Sequence, residues 1–284
     1  MSLRINTNVS ALTAYQNLNK NQNALSSAIE KLSSGMRINK AADDAAGLSI
    51  SQGLTSQING LTQAVSNAQD GVNVAQIADG ALGTSQAVLQ RMRTLVVQAA
   101  NSGTQGADSL AAIQQELGSL STQLDSVSSQ TSFGGKSLLD GTYNGTFQVG
   151  ANGGQTISLD LQTGGDFKAA TLGVDAVSAG GTGTVDVTSA TFDSTATLTA
   201  IDAAITTVST ARSAIGATQN QLTYTASNLQ TAITNVTASR SNLTDADLAT
   251  EVSAMTQAQI LSQAATSVLA QANSAPQSVL KLLQ

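Results

Sequence analysis

The chain has no cysteine, no histidine and no tryptophan, and only one proline, Pro276. Without cysteine there can be no disulfides and no thiolate metal sites. The additional lack of histidine excludes serine and cysteine triads of the histidine type, zinc sites built on either residue, and most switches that titrate near neutrality. Only carboxylate chemistry survives. Charged residues amount to 11% of the sequence, against about 25% in an average soluble domain. Aromatics are 2%, so Ala, Leu, Ile and Val must build the core, which suits thin helical seams better than a bulky centre. The net charge of −6 argues against nucleic acid as a partner. No run is apolar for the roughly 18 residues that a membrane span needs. The opening Met1-Ser2-Leu3-Arg4-Ile5-Asn6 lacks the basic start and unbroken apolar stretch of a secretory leader. If the protein leaves the cell, it is expected to do so without a cleaved leader.

What the sequence does contain is helical periodicity at both ends. From Val9, the residues Leu12, Tyr15, Leu18, Leu25, Ile29 and Leu32 recur every three or four positions and predict one helix, ended by Gly35 as a left-handed cap. Asp43 and Asp44 are expected to open a second, long helix whose stripe runs from Leu54 through Leu61, Val72, Leu82, Leu89 and Met92 to Ala99. A third follows on Ile113, Leu117, Leu120 and Leu124, antiparallel to the second if the break at 101–103 is a tight reversal. Period two replaces the helical period between Phe133 and about Phe192. Thr146–Val149 and Thr156–Leu161 flank Ala151-Asn152-Gly153-Gly154 and predict a hairpin, while 178–184 reads as an exposed loop tip. Helical spacing returns on Leu198, Ile201, Ile205, Val208, Ile215, Leu222 and Leu229. Thr244 with Asp247 resembles a capping box. The last stripe is Leu248, Val252, Met255, Leu261, Val268, Ala272, Val279 and Leu282, which Pro276 is expected to bend or fray.

The fold class is therefore mainly α: a long antiparallel helical bundle or coiled coil formed by both chain ends, around a small central β-hairpin region. The expected divisions are 1–42, an end helix and connection; 43–162, a long-helix half with the hairpin; 163–196, a short exposed segment; 197–244, a long helix; and 245–284, a second end helix. The end stripes are Ala-rich and narrow, and each alone buries too little to offset the entropy of ordering it. They need each other, or neighbouring copies.

Several local patterns suggest chemistry and fail on inspection. Gly135-Lys136-Ser137 looks like the end of a phosphate loop, but position 130, where the first glycine belongs, is Gln130. Asp43 with Asp44, and Asp245 with Asp247, could pair as acid and base, yet each pair sits at a helix start where capping accounts for it. No catalytic, cofactor or metal residue is assigned, and the chain is read as a non-enzyme that needs no cofactor.

Leu32-Ser33-Ser34-Gly35-Met36-Arg37-Ile38-Asn39 with Asp43-Asp44-Ala45-Ala46-Gly47, Leu61-Thr62-Gln63-Ala64, Gln148-Val149-Gly150-Ala151-Asn152, Gln259-Ile260-Leu261 and Ser267-Val268-Leu269-Ala270-Gln271-Ala272-Asn273 together resemble bacterial flagellin over nearly the whole chain. The resemblance implies a secreted, extracellular subunit that polymerises into the flagellar filament used for swimming. It also implies export through a type III apparatus, a C-terminal segment held by an export chaperone, and contacts with a filament cap protein and hook-filament junction proteins. The outer domains that many flagellins carry would be missing here. The polymerisation seam is expected at Leu25, Ile29, Leu32, Leu261, Val268 and Val279. A host Toll-like receptor would contact Arg91, Leu95 and Glu116, with packing between subunits the other reading of those residues. A hook-filament junction protein and a monomeric adhesin are the alternatives, and matches at both ends favour polymerisation over the latter.

Overall fold

The computed structural model describes residues 7–282 apart from 102, 163–164 and 177–183, with side chains as far as Ser274. Its elements in chain order are α1 (Val9–Ser34), α2 (Ala45–Ala99), α3 (Ala107–Gln130), β1 (Ser132–Phe133), β2 (Lys136–Ser137), β3 (Asn144–Gln148), β4 (Thr156–Asp160), α4 (Ser194–Thr244) and α5 (Leu248–Leu282). They form two compact units, Met1–Ile58 with Thr234–Gln284, and Asn59–Ile233. The unit boundaries fall inside α2 and α4. Connections 35–44 and 245–247, where the sequence placed the divisions at 42 and 244, therefore lie within the first unit.

The first unit is an antiparallel pairing of α1 with α5. Lys31 meets Glu251 at 3.6 Å near one end, and Asn8 meets Ala272 near the other. The residues turned inward repeat in steps of three and four: Ala11, Ala14, Leu18, Asn21, Leu25, Ala28 and Leu32 on α1, and Glu251, Met255, Ala258, Ser262, Ala265, Leu269 and Ala272 on α5. That is the two-per-heptad seam of a coiled coil. Its most buried members are alanines: Ala14, Ala28 and Ala258 are 5–6% exposed. Counting the largest apolar residues therefore selects the wrong face for much of both helices. Small side chains let two helices approach closely, and Val9, Leu12, Tyr15, Ile29, Val252, Leu261 and Val268 are left facing outward.

The connections of this unit are ordered by specific bonds. Gly35 closes α1 at φ 70°, as its position in the sequence predicts. Met36 and Asp245 form an antiparallel bridge, with Arg37 N donating to Thr244 O at 2.7 Å and Ala246 N to Gly35 O at 2.9 Å. The Arg37 guanidinium donates to Leu243 O at 2.7 Å, so a cation sits on the last carbonyls of α4, where the helix dipole favours it. Of the two carboxylates expected to cap α2, only Asp44 does, accepting from Gly47 N at 2.8 Å. Asp43 instead closes the loop, accepting from Asn39 N and Lys40 N at 3.1 and 3.0 Å. Ile38, 4% exposed, folds over Gly47, where a Cβ would lie 2.7 Å from its Cδ1. The capping box at Thr244 does not form. Thr244 ends α4 by donating to Arg240 O, and Asp247 alone caps α5 through Ala249 N.

The second unit packs larger side chains. Along α2, Ala75, Ala78, Leu82, Ser85, Leu89, Met92, Val96 and Ala99 are buried at steps of three and four. They meet Ile113, Leu117 and Leu124 of α3 and Ile201, Val208 and Ile215 of α4 in one core. Asp79 and Gln86 of α2 hold Arg212 of α4 at 2.8 and 2.7 Å. The predicted hairpin is present as β3 and β4, paired antiparallel from Asn144–Asp160 to Gln148–Thr156. Its Phe147, Val149 and Ile157 pack on Ala68, Val72 and Leu222. A second hairpin, β1 with β2, escapes sequence reading because each strand has two residues; Gly134 and Gly135, both at positive φ, are its turn.

The segment written as exposed, 163–196, is largely seated. Phe167, Val174, Val185 and Val187 are at most 2% exposed. A polar row on α3 at seven-residue spacing holds it: Gln114 accepts from Val187 N at 2.9 Å and donates to Val185 O at 3.0 Å, Ser121 accepts from Ala176 N, and Ser128 donates to the Asp166 carboxylate. Asp125, one turn before Ser128's end of the row, accepts from Ala169 N at 2.8 Å. Most of the loop tip predicted at 178–184 falls outside the described residues.

Candidate assembly interface

Seven-residue periodicity gives α1 and α5 two apolar faces, and they pair through the one whose most buried members are alanines. The other is left open. On α5, Ile260 is 60% exposed, Val268 57% and Leu261 45%; on α1, Leu12 is 54% and Ile29 49%. A shallow groove of about 500 Å³ runs along Ser253, Thr256, Gln257, Ile260 and Leu261. Fully burying each of these side chains would contribute about 1.5–3 kcal/mol. Of the predicted seam residues, Ile29, Leu261 and Val268 lie on this open face, while Leu25 and Leu32 are half-buried towards α5. The side chain of Val279 lies outside the described residues.

The predicted receptor residues part company. Arg91 and Glu116 form an exposed ion pair between α2 and α3, Nη2 to Oε1 at 2.6 Å. Leu95 is 2% exposed and belongs to the core between the same helices. That is a correction: no partner reaches its side chain while the core is closed. Arg93, which sequence reasoning did not single out, is exposed and paired with Asp202 at 2.7 Å, and this partner holds its pKa above the ordinary arginine value.

The carboxylates once weighed as acid-base pairs have structural partners instead. Asp43 is held below the usual carboxylate range by the backbone N–H groups of Lys40 and Asn39. Asp245 is held low by the Ser241 and Thr244 hydroxyls. Among the described residues no three metal-ligating side chains cluster, and no helix is long and apolar enough to cross a membrane. Two features needed the folded chain to be found, the Arg37 clamp on α4 and the Asn8 contact with α5, and neither has a local sequence signal.

These features describe a helical protein whose terminal pair leaves large aliphatic side chains exposed and which holds no metal-ligating cluster among the described residues. Comparison with known proteins makes the assignment particular. The bacterial flagellin N-terminal helical region matches residues 5–144, and the C-terminal helical region residues 198–283. The chain is 43% identical over 307 positions to a flagellin of Bacillus subtilis (strain 168), covering 99% of this chain and 100% of that one. It is 38% identical over 163 positions to the B-type flagellin of Pseudomonas aeruginosa, covering 57% of this chain and 33% of the relative. A crystal structure of Bacillus cereus flagellin superposes with a TM-score of 0.49 at 25% identity, over 58% of this chain and 88% of that one. The chain belongs to the bacterial flagellin family and is a structural subunit of the flagellar filament.

Proposed function

We propose that the subunit polymerises through the outward faces of α1 and α5, with Ile29, Leu261 and Val268 at the seam between copies. The observation that supports this most directly is in the terminal pair: its most buried members are alanines, while Leu12, Ile29, Val252, Leu261 and Val268 face out. A pair held by an alanine seam gains little from its own burial, so the chain ends are marginal in the free subunit and become ordered as the polymer forms. Weak charge serves the same end, because identical neighbours repeat every charge against its copy. The divisions that follow are an inner layer from the end helices and an outer layer from the long helices and hairpins.

The family reading extends to export through the flagellar type III apparatus, an export chaperone on the α5 segment, a cap protein at the growing tip and junction proteins at the hook. For the same region a host Toll-like receptor contact falls to Arg91 and Glu116, which are exposed, and not to Leu95. Limited proteolysis of subunit and seeded polymer tests the central reading. Cleavage within α1 and α5 of the free subunit, with protection in the polymer, is the expected result. Equal protection in both states would show that the ends are ordered without partners.

A further inference from the structure

Asn-Gly pairs occur at Asn59-Gly60, Asn144-Gly145 and Asn152-Gly153. In such a pair the glycine backbone nitrogen can attack the asparagine Cγ. An N–Cγ bond forms, the Cγ–Nδ2 bond breaks, ammonia leaves, and a five-membered succinimide results. Water then opens the ring to aspartate or to isoaspartate, in which the chain runs through the side-chain carbon. No oxidant or cofactor is required. The reaction does require a glycine N–H free of other bonds, an unpartnered side-chain amide and a backbone able to turn.

The fold withholds those conditions from two of the three pairs. Gly60 lies inside α2, where its N–H belongs to the helical ladder. Gly145 faces Leu159 in the β3–β4 ladder. Because Leu161 N donates to Tyr143 O and Val149 N to Gln155 O, alternation makes 145 with 159 a hydrogen-bonded pair. Gly145 is also hemmed in by the Tyr143 ring. Asn152 and Gly153 are different: both are exposed in the hairpin turn, next to Gly154 at φ +85°. Among the described residues neither the Gly153 N–H nor the Asn152 side-chain amide has a hydrogen-bond partner.

We propose that Asn152 is a site of spontaneous deamidation, a place where the subunit acquires isoaspartate and a negative charge as it ages. Beyond the last ladder bond, Val149 N to Gln155 O, the turn is held by the Gln148 and Gln155 side chains, which can release its backbone, and the change has a structural reach. Gln148 Nε2 donates to Gly150 O at 3.0 Å and to Asn152 O at 2.6 Å. Between them Ala151 sits on Gly60, where a Cβ would stand 3.0 Å from its own. Isoaspartate adds one backbone carbon at that point and loosens the hairpin tip from α2.

The test is peptide mapping of full-length subunit held in mildly alkaline buffer, with isoaspartate read by enzymatic methylation. Conversion at Asn152 should exceed that at Asn59 and Asn144 by on the order of tenfold in the native protein, and the gap should close in denaturant, where the ladders no longer protect. Gly153→Ala should remove most of the conversion; its methyl meets nothing within 4 Å, so the variant keeps the fold. Native conversion that is equal at all three asparagines, or absent at Asn152, would overturn the proposal. The readout needs no polymer and so stands or falls apart from the assembly reading.

Discussion

The side-chain amide of Asn8 donates to the carbonyl oxygen of Ala272 at 2.8 Å, across the α1/α5 pair. In an unbroken helix that carbonyl accepts from the N–H four residues on, but residue 276 is proline and has none. Helix α5 runs past that position to Leu282. Asn8 supplies the missing donor with Nδ2 while its Oδ1 caps α1 by accepting from Ala11 N at 3.0 Å.

Removing Asn8 should therefore be felt in both helices. Asn8→Ala is expected to destabilise the terminal pair by about 1–2 kcal/mol, one part from the cap and one from the lost bond. In a Pro276→Ala background the helix provides its own N–H, and the second part should shrink. A double-mutant cycle on the melting of the polymer measures the coupling. Strictly additive costs would show that Asn8 does not serve the carbonyl that Pro276 leaves free.

Leu261 and Ala258 are neighbours on α5, but Leu261 is 45% exposed and Ala258 6%, and they should fail in different ways. Leu261→Asp leaves a carboxylate in water in the free subunit, so its helicity should be unchanged. At a seam between copies the same carboxylate costs at least several kcal/mol, and assembly should stop. Ala258→Leu overfills the alanine seam instead, at about 1–3 kcal/mol, and should lower the fraction of free subunits in which the marginal pair is formed. Circular dichroism of the subunit and pelleting of the seeded polymer separate the two. Normal polymer from Leu261→Asp would remove Leu261 from the seam.

Gln114 is fully buried and replaces a strand partner for residues 185 and 187. Gln114→Leu would leave Val185 O and Val187 N buried without it, at about 1–3 kcal/mol for each group. The expected outcome is a lower melting temperature of the second unit and faster amide exchange at Val187. Unchanged exchange there would mean that the apolar side chains of the segment hold it unaided.

Acid should loosen the connections of the first unit. Asp43 and Asp245 both have folded pKa values below the ordinary 3.8. A depressed carboxylate contributes stability that is fully present above its unfolded pKa and is lost as pH falls through the folded one. Amide protection at Asn39 and Lys40, the exchange rate taken relative to the intrinsic rate at each pH, should fall below that value, as Asp43 stops accepting from their N–H groups, and stay flat from there to neutrality. A loss of protection that begins near neutrality would contradict the assignment, since the chain has no histidine.

Helix positions, the Gly35 cap and the β3–β4 hairpin were legible because each depends on local periodicity or on a residue with special backbone freedom. What was missed depends on residues distant in sequence. The choice between two apolar faces of α5 is made by the approach distance to α1, which favours Ala258 and Ala265 over Leu261 and Val268. The polar row Gln114, Ser121 and Ser128 reads as a solvated stripe until the segment it holds is folded onto it. Leu95 carried a family expectation, and only packing shows that it is enclosed while Arg91 is not.

Negative-stain electron microscopy of the full chain after seeding with filament fragments, beside a chain lacking residues 1–40 and 248–284, tests the central claim most directly. Long uniform filaments from the full chain alone are predicted, because only that chain has the open faces of α1 and α5. Filaments from the shortened chain would contradict the account and move assembly to the second unit.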